Sequence, residues 1–420
     1  MKSDIDAFLK AQNIDALWVM GAMKHNADMV YFTGTQEVKS ADLFKLVGKP
    51  PVVYHATAME RGEAAKSGLE THAFDTAMPL ETYLNKHQGD FTAAIAERYH
   101  DVFHEIGLTK GRVAISGTAP VHIAFSILTA LKPLLPEVEF TSFLKDSAVQ
   151  KARMTKETDE VERIRKMGQI TTRVVGKAAD FLTSQKVENN QLVGEDGKPI
   201  TISSIKSRIN LWLAELGAEN PEETIFAIGR DAGIPHNTGN PEDVIELGKP
   251  IVFDIYPCEK GGAYFYDFTR TWCLGYAPEE VQKLHDQVAS VFHHITGTLE
   301  AGKPFKFYQE KTCQLFSDMG HITIVDKPDT TEGYVHSIGH GLGLDVHENP
   351  FSGITASAGD ILKPGVVFTI EPGLYYPSKD MGVRIEDTVY LNPKGQFEIL
   401  ADYPYDLVLP MKIKYDEPKG

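Results

Sequence analysis

Hydrophobic and polar positions in residues 1–150 follow two periods, one typical of helices and one typical of strands. Ser3 and Asp6 fit a capping box that opens the first helix. This alternation predicts a small α/β unit with a largely parallel sheet. The helical period covers residues 4–13 (DIDAFLKAQN) and 91–107, ending at Gly107, and the strand pattern covers residues 14–20 (IDALWVM), 50–55 and 111–116.

The pattern changes after about residue 150, where a long helical region is expected to begin near Thr155. Acidic residues occupy its first turn and basic residues follow, as the helix dipole favours. We therefore expect one domain over residues 1–150 and a second over residues 151–420. Within the second, the polar segment 186–201 is predicted to be a surface loop. Strands and turns follow residue 220, with helices near 278–299 and 304–319.

Composition and charge exclude several classes of protein. A chain of 420 residues suits two domains, and no apolar run is long enough to span a bilayer. The net charge of −16 disfavours nucleic acid as a partner, because phosphate binding needs lysines and arginines. Acidic residues stand where a signal peptide would have its apolar core, and three cysteines are too few for a disulfide framework. A cytoplasmic location without a membrane partner is expected.

Three acidic residues stand at unusual places in apolar strands. Asp254 interrupts the run IVFDI, and Asp267 lies on the other strand of a predicted hairpin. Glu371 ends the apolar strand GVVFTI and is followed by Pro-Gly. Taken singly, an acid such as Asp254 is better explained as a salt-bridged or capping group than as a ligand, because buried carboxylates are usually paired. Glu371, at the exit of a buried strand, fits an active site and a cap or turn equally well.

The strand at residues 382–391 (GVRIEDTVYL) adds a fourth acid. Its alternation places Arg384 and Glu386 on one face, and by themselves they indicate a surface ion pair. Together with Asp254, Asp267 and Glu371, however, Glu386 makes four carboxylates that are expected to turn inward. Such a group cannot stay ionised unless cations neutralise it.

The segment 336–350 (HSIGHGLGLDVHENP) offers histidines to complete such a site. Two of them are spaced as in helical zinc motifs, but three glycines between positions 339 and 343 disfavour a helix. A loop or irregular strand is expected instead, and the histidine that binds metal stays open. Oxygen donors with one imidazole and no thiolate suit Mn²⁺, Co²⁺, Fe²⁺ or Zn²⁺. Four carboxylates and one histidine suit two ions about 3.5–4 Å apart.

The chain resembles the creatinase/aminopeptidase P/prolidase family over nearly its whole length. The resemblance lies in the order of the four acidic residues along the chain and in the histidine segment 336–350. The motifs DFTRT, HSIGHGLGLDVHENP, TIEPGLY and GVRIEDT carry this resemblance. It implies an α/β (α+β) fold, in which a creatinase-like N-terminal domain precedes a pita-bread catalytic domain. It also implies metal ligands and catalytic residues. The implied ligands are Asp254, Asp267, His340, Glu371 and Glu386, and the implied catalytic residues are Glu371, His347, His336, His236 and Arg384.

The resemblance further implies a homodimer that hydrolyses the Xaa-Pro bond of peptides or dipeptides with two divalent ions, foremost Mn²⁺. A metal-bridging hydroxide would attack, Glu371 would transfer the proton, His347 and His236 would bind the substrate carbonyl or oxyanion, and Arg384 would orient the carboxylates. Three alternatives are a creatinase, which the intact ligand set argues against, a lyase acting on dimethylsulfoniopropionate, and a non-catalytic binding protein. Asp254 and Asp267 are 13 positions apart, two more than the family pattern, which a longer hairpin turn near Cys258 can absorb.

Overall fold

The computed structural model describes residues 4–415, which divide into two units. The first contains the chain up to Arg153 together with Gly261–Ala263, and the second contains Met154–Lys260 and the residues from Tyr264 onward. Ser3, half of the predicted capping box, lies outside the described residues. No helix within residues 4–415 combines the length and the apolar character that crossing a bilayer requires.

The first unit is built around one sheet. Its strands are β1 (Ala16–Gly21), β2 (Ala41–Leu46), β3 (Val52–His55), β4 (Glu70–Ala73), β5 (Gly111–Gly117) and β6 (Val138–Thr141). Its helices are α1 (Ile5–Ala11), α2 (Ala27–Thr33), α3 (Arg61–Ala65), α4 (Phe74–Ala77), α5 (Leu80–Lys86), α6 (Phe91–Glu105), α7 (Val121–Leu131) and α8 (Ala148–Arg153). The strand order is β4-β3-β2-β1-β5-β6.

Strand β1 is apolar at successive positions because both faces of the sheet are covered. Leu17 and Val19 belong to one core cluster, while Trp18 and Met20 belong to another on the opposite face. The predicted strands at 14–20, 50–55 and 111–116 and the helices at 4–13 and 91–107 are confirmed.

The prediction of a largely parallel sheet missed β2. This strand is antiparallel to both β1 and β3, so the sheet has three parallel and two antiparallel pairings. Its sequence ADLFKL contains two buried polar residues that obscure the strand pattern. Asp42 accepts hydrogen bonds from Trp18 Nε1 and Tyr99 Oη, and Lys45 pairs with Asp6.

The second unit contains four helices and several small sheets among its described residues. The helices are α9 (Thr158–Thr183), α10 (Ile202–Glu215), α11 (Glu279–Gly297) and α12 (Phe305–Asp318). The strands are β7 (Lys186–Glu188), β8 (Gln191–Val193), β9 (Ala218–Glu219), β10 (Thr224–Ile228), β11 (Pro250–Ile255), β12 (Cys258–Glu259), β13 (Phe268–Leu274), β14 (His340–Gly341), β15 (Glu348–Phe351), β16 (Val367–Ile370), β17 (Gly373–Tyr376), β18 (Met381–Arg384), β19 (Asp387–Leu391), β20 (Phe397–Ile399) and β21 (Val408–Leu409).

Two local predictions for this unit need correction. The long helix begins at Thr158 rather than near Thr155, because Thr155 bridges to Val366 in extended conformation and a capping box of Glu157 and Glu160 opens α9. The segment 186–201 is not only a loop. It contains the β7–β8 hairpin, whose turn residues Asn189 and Asn190 both have positive φ, as asparagine tolerates.

Two sheets of the second unit position the chemistry. One has the order β10-β11-β13-β21 and the other β15-β14-β16-β19-β20. They meet where Thr269 of β13 exchanges backbone hydrogen bonds with Glu386, the residue before β19. Helices α11 and α12 supply much of the apolar core that packs against β16 and β18.

Candidate active site

The nine predicted site residues line one cavity of about 210 Å³ in the second unit. Asp254 lies in β11 and Asp267 directly precedes β13, which pairs with β11. His340 lies in β14 and Glu371 directly follows β16, the strand next to β14. Glu386 stands at the junction of the two sheets, so strand pairing converges all five side chains on this cavity.

His340 lies near two of these carboxylates. Its Nε2 atom lies 3.4 Å from Glu371 Oε1 and 3.6 Å from Asp267 Oδ2. Ligand atoms of Asp267, His340 and Glu386 all lie within 4.8 Å of one another, a separation that could hold a metal ion. Asp254 is placed differently, since its Oδ2 accepts a hydrogen bond of 2.5 Å from Arg384 Nη2.

The orientation of the His340 ring is fixed by a backbone carbonyl. Its Nδ1 lies 3.1 Å from Gly341 O, and a carbonyl can only accept, so Nδ1 carries the proton. The lone pair on Nε2 then faces the carboxylates of Asp267 and Glu371. An acceptor aimed at anionic oxygens is unfavourable by itself, whereas it is the arrangement of a histidine that ligates a metal.

Three carboxylate oxygens at the cavity are buried and have no hydrogen-bond partner within residues 4–415. They are Asp254 Oδ1, Asp267 Oδ1 and Glu386 Oε1. Buried polar atoms in folded proteins are nearly always paired, and an unpaired carboxylate oxygen is costly. The donor set therefore fits divalent cations, which would supply the missing partner for each oxygen.

The carboxyl groups of the cavity are hard to ionise without such a partner. Burial raises the pKa of Asp267 well above its usual range, and the charges of Asp254 and Glu371 raise it further. Burial likewise raises the pKa of Glu386 far above normal, with Asp267 adding to the effect. The pKa of Glu371 is raised to about 8 by burial, although Arg384 opposes the change.

The other predicted residues surround this group. His336 Nδ1 donates to Ser337 O at 2.7 Å, so its Nε2 accepts from Tyr375 Oη at 2.9 Å. The rings of His340 and His347 are 4.3 Å apart between centroids. His236 is exposed at the cavity wall.

Arg384 does not form the surface ion pair with Glu386 that its strand pattern alone indicated. It is buried and donates to Asp254, to Tyr375 Oη at 2.6 Å and to Thr269 Oγ1 at 3.3 Å. The longer hairpin leaves Asp254 and Asp267 on the same cavity. The connection between them contains β12, where Cys258 pairs with Glu219.

Sequence reasoning missed several residues that touch the site. Thr269 Oγ1 donates to Glu386 Oε2 at 2.7 Å, and Thr369 Oγ1 donates to Glu371 Oε1 at 3.3 Å. Their position two residues from an acid on the same strand is a signal that could have found them. Tyr256 and Glu222 also line the cavity. No pattern in the sequence marks Glu222, which lies in a polar turn before β10.

The fold and the cavity together define an α/β protein whose catalytic unit carries a buried carboxylate–histidine cluster suited to divalent metals. Residues 162–393 match metallopeptidase family M24, and residues 3–155 match the creatinase/prolidase N-terminal domain. The chain belongs to the M24 metallopeptidases. This confirms the predicted family and enzyme class.

Known relatives agree with this assignment. The chain is 26% identical over 320 residues to an Xaa-Pro dipeptidase from Pyrococcus furiosus, covering 75% of this chain and 81% of the relative. A dipeptidase structure from Pyrococcus horikoshii aligns with a TM-score of 0.73 and 23% identity, covering 96% of this chain and 98% of that one. An X-Pro aminopeptidase structure from Thermotoga maritima aligns at 0.72 and 22%, covering 94% and 97%. The predicted pita-bread architecture is confirmed.

Proposed function

We propose that this protein hydrolyses the peptide bond that precedes proline, using two divalent cations held by Asp254, Asp267, His340, Glu371 and Glu386. The observation that carries the proposal is the set of three buried carboxylate oxygens without a hydrogen-bond partner among residues 4–415, which belong to the cavity that His340 also lines. The names of the relatives supply the substrate class, because they include Xaa-Pro dipeptidases.

Bound cations would lower the pKa of a shared water and polarise the substrate carbonyl. Glu371 would accept a proton from the attacking water and deliver it to the leaving nitrogen, and Thr369 Oγ1 donates a hydrogen bond to one of its oxygens. His347 and His236 would donate hydrogen bonds to the substrate carbonyl as negative charge develops on its oxygen. Arg384 keeps Asp254 oriented, and Thr269 does the same for Glu386.

A dedicated cavity makes sense for proline substrates. The nitrogen of an Xaa-Pro bond carries no hydrogen, so a protease that binds its substrate as an added strand loses a backbone contact there.

We assign Mn²⁺ as the preferred ion among Mn²⁺, Co²⁺, Zn²⁺ and Fe²⁺, and a cytoplasmic homodimer as the working form.

The test uses purified protein stripped of metal and reloaded with each ion in turn. We expect release of the free N-terminal amino acid from an Xaa-Pro peptide, which a chelator and Glu371→Ala both abolish. Glu222→Gln, which changes a cavity-lining carboxylate outside the proposed ligand set, is the matched control and should retain turnover. Absence of hydrolysis with every ion would contradict the proposal.

Comparing Xaa-Pro with Xaa-Pro-Yaa of the same first residue then separates a dipeptidase from an aminopeptidase. Turnover of dimethylsulfoniopropionate in the same assay would assign the lyase alternative. Light scattering on the same samples measures the oligomeric state, for which a mass of two chains is expected.

A further inference from the structure

Glu348, the residue after His347, closes the turn that leads into β15. Its Oε1 accepts hydrogen bonds from the backbone N–H groups of Leu344, at 2.7 Å, and Asp345, at 3.0 Å. A carboxylate that binds two consecutive N–H groups restrains the backbone between them and itself. The turn at 344–347 is therefore held from inside by one side chain.

The other oxygen of this carboxylate makes a buried ion pair. Glu348 Oε2 lies 3.0 Å from Lys156 Nζ, and the two side chains are 5% and 1% exposed. The backbone next to Lys156 is itself anchored, because Lys156 N donates to Gly365 O at 2.7 Å. The pair thus ties the turn to a fixed segment of the same unit.

The pair also explains Gly343. A Cβ atom at this position would lie 2.7 Å from Glu348 Oε2 and 2.8 Å from Lys156 Cε. Close packing of the backbone on the ion pair leaves no room for a side chain. A glycine here serves that close approach.

His347 and Glu348 have different surroundings. Glu348, the first residue of β15, is buried, whereas His347, the last residue of the turn, is exposed and lines the cavity. The His347 ring lies beside that of His340, tilted by 48° to it. Whatever restrains the backbone at Glu348 also aims His347.

We propose that Lys156 and Glu348 are positioning residues that hold the 344–347 turn so that His347 faces the substrate. This inference rests on the proposed function only for the role of His347 in binding the substrate carbonyl. The contacts described above join the pair to Leu344, Asp345 and Gly365, none of which is a proposed metal ligand.

The activity test compares two uncharged replacements, so that neither leaves a bare buried charge. Lys156→Met with Glu348→Ala removes the acceptor for the two N–H groups, whereas Lys156→Met with Glu348→Gln keeps it. We expect kcat/KM for an Xaa-Pro peptide to fall about 10-fold to 100-fold in the first variant, as misplacement of a binding group does. The second variant should recover most of the loss, and metal content should be unchanged in both.

A His347→Ala background shows whether the pair acts through His347. If it does, adding the Lys156→Met and Glu348→Ala changes to His347→Ala costs no more than about 2-fold further, because effects through one group are not additive. An equal loss in both backgrounds, or loss of bound metal in parallel with activity, overturns the proposal.

A spectroscopic measurement makes the test independent of activity. In protein with labelled histidine side chains, the His347 resonance is identified by its disappearance in His347→Ala. We expect Lys156→Met to shift or broaden that resonance, and Lys177→Met, which removes a lysine from the exposed pair with Glu215, to leave it unchanged. An unmoved His347 resonance in Lys156→Met overturns the inference, whereas failure of the wild-type protein to cleave any Xaa-Pro peptide overturns only the proposed function.

Discussion

The carboxylate side chains at the cavity are arranged to surround positive charge, and the described residues of the chain supply only part of it. Arg384 compensates Asp254, but Asp267 and Glu386 each retain an oxygen without a partner among the described residues. Their carboxyl groups are disfavoured as anions by burial and by one another. Each of them therefore costs stability when ionised and unligated, and gains it when a cation binds.

Asp267→Asn should separate these two effects. We expect bound metal to fall from two equivalents to one or none, because a neutral amide is a weaker ligand than a carboxylate. The metal-free variant should melt no lower than metal-free wild type, since a buried repulsive charge has been removed. Metal analysis and thermal unfolding with and without chelator measure both. A variant that melts lower without metal would show that Asp267 supports the fold in another way.

Asp42 provides a pH-dependent test in the first unit, which contains none of the proposed metal ligands. Burial raises its pKa from 3.8 to about 6, although Trp18 and Tyr99 donate to it. The folded pKa exceeds the unfolded one, so the group costs stability above about pH 6 and the cost vanishes as the pH falls towards 4. Two pH units correspond to about 3 kcal/mol, taken as an upper bound.

Hydrogen exchange of β1 and β2 in the full chain, between pH 4 and 7, measures this contribution. We expect the opening free energy of wild type relative to Asp42→Asn to increase as the pH is lowered through 6. The difference should level off near pH 4. A difference that stays constant across this range would mean that Asp42 does not titrate there.

Strands and turns of the second unit approach one another so closely that several positions admit only glycine. A Cβ on Gly341 would lie 2.1 Å from the carbonyl oxygen of Asn349, which is backbone and cannot rotate away. This glycine lets β14 lie against β15, and so places His340 beside His347. The glycines of the segment 336–350 thus serve close packing of the backbone rather than loop flexibility.

Gly341→Ala is accordingly expected to separate β14 from β15, lowering the melting temperature and the turnover together. Gly297→Ala is the matched control, because a Cβ at that end of α11 meets nothing within 4 Å. Its effect should be neutral or stabilising by up to about 1 kcal/mol, as alanine favours helices. Thermal unfolding and Xaa-Pro hydrolysis of the two variants, measured side by side, would test this contrast. Equal behaviour would contradict the packing argument.

At the level of the whole molecule, we expect the two units to differ in their dependence on metal. The first has its own sheet and two apolar clusters, whereas the second carries the carboxylate cluster. A ligand that binds only the folded state stabilises it by about 2.7 kcal/mol at one hundred times its dissociation constant. Metal should therefore act on the second unit.

Hydrogen exchange with and without Mn²⁺ tests this expectation in one experiment. Protection of β16 and β19 should increase with Mn²⁺, while protection of β1 and β5 stays the same. Mg²⁺ at equal concentration is the ionic-strength control. Uniform protection of both units, or none, would contradict a metal site confined to the second.

Much of this architecture is predictable from periodicity alone. Strand β1 and helix α6 follow from it because their apolar residues repeat at the intervals of a covered strand and a one-sided helix. Strand β2 does not, since Asp42 and Lys45 are buried through partners distant in sequence. Periodicity also does not predict that Thr155 is extended and lies outside α9, because its bridge to Val366 is a long-range contact.

The amino-acid sequence by itself determines which residues are acidic, which predicted strands carry them and which glycine-rich segment supplies histidine. The sequence leaves open which carboxylate oxygens have a hydrogen-bond donor and which do not, because the donors and acceptors are more than one hundred positions apart in the chain. Arg384 meets Asp254 rather than its neighbour Glu386, and Thr269 meets Glu386, only once β11, β13 and β18 pack together. Electrostatic energy depends on distance in space, and the folded chain alone sets those distances.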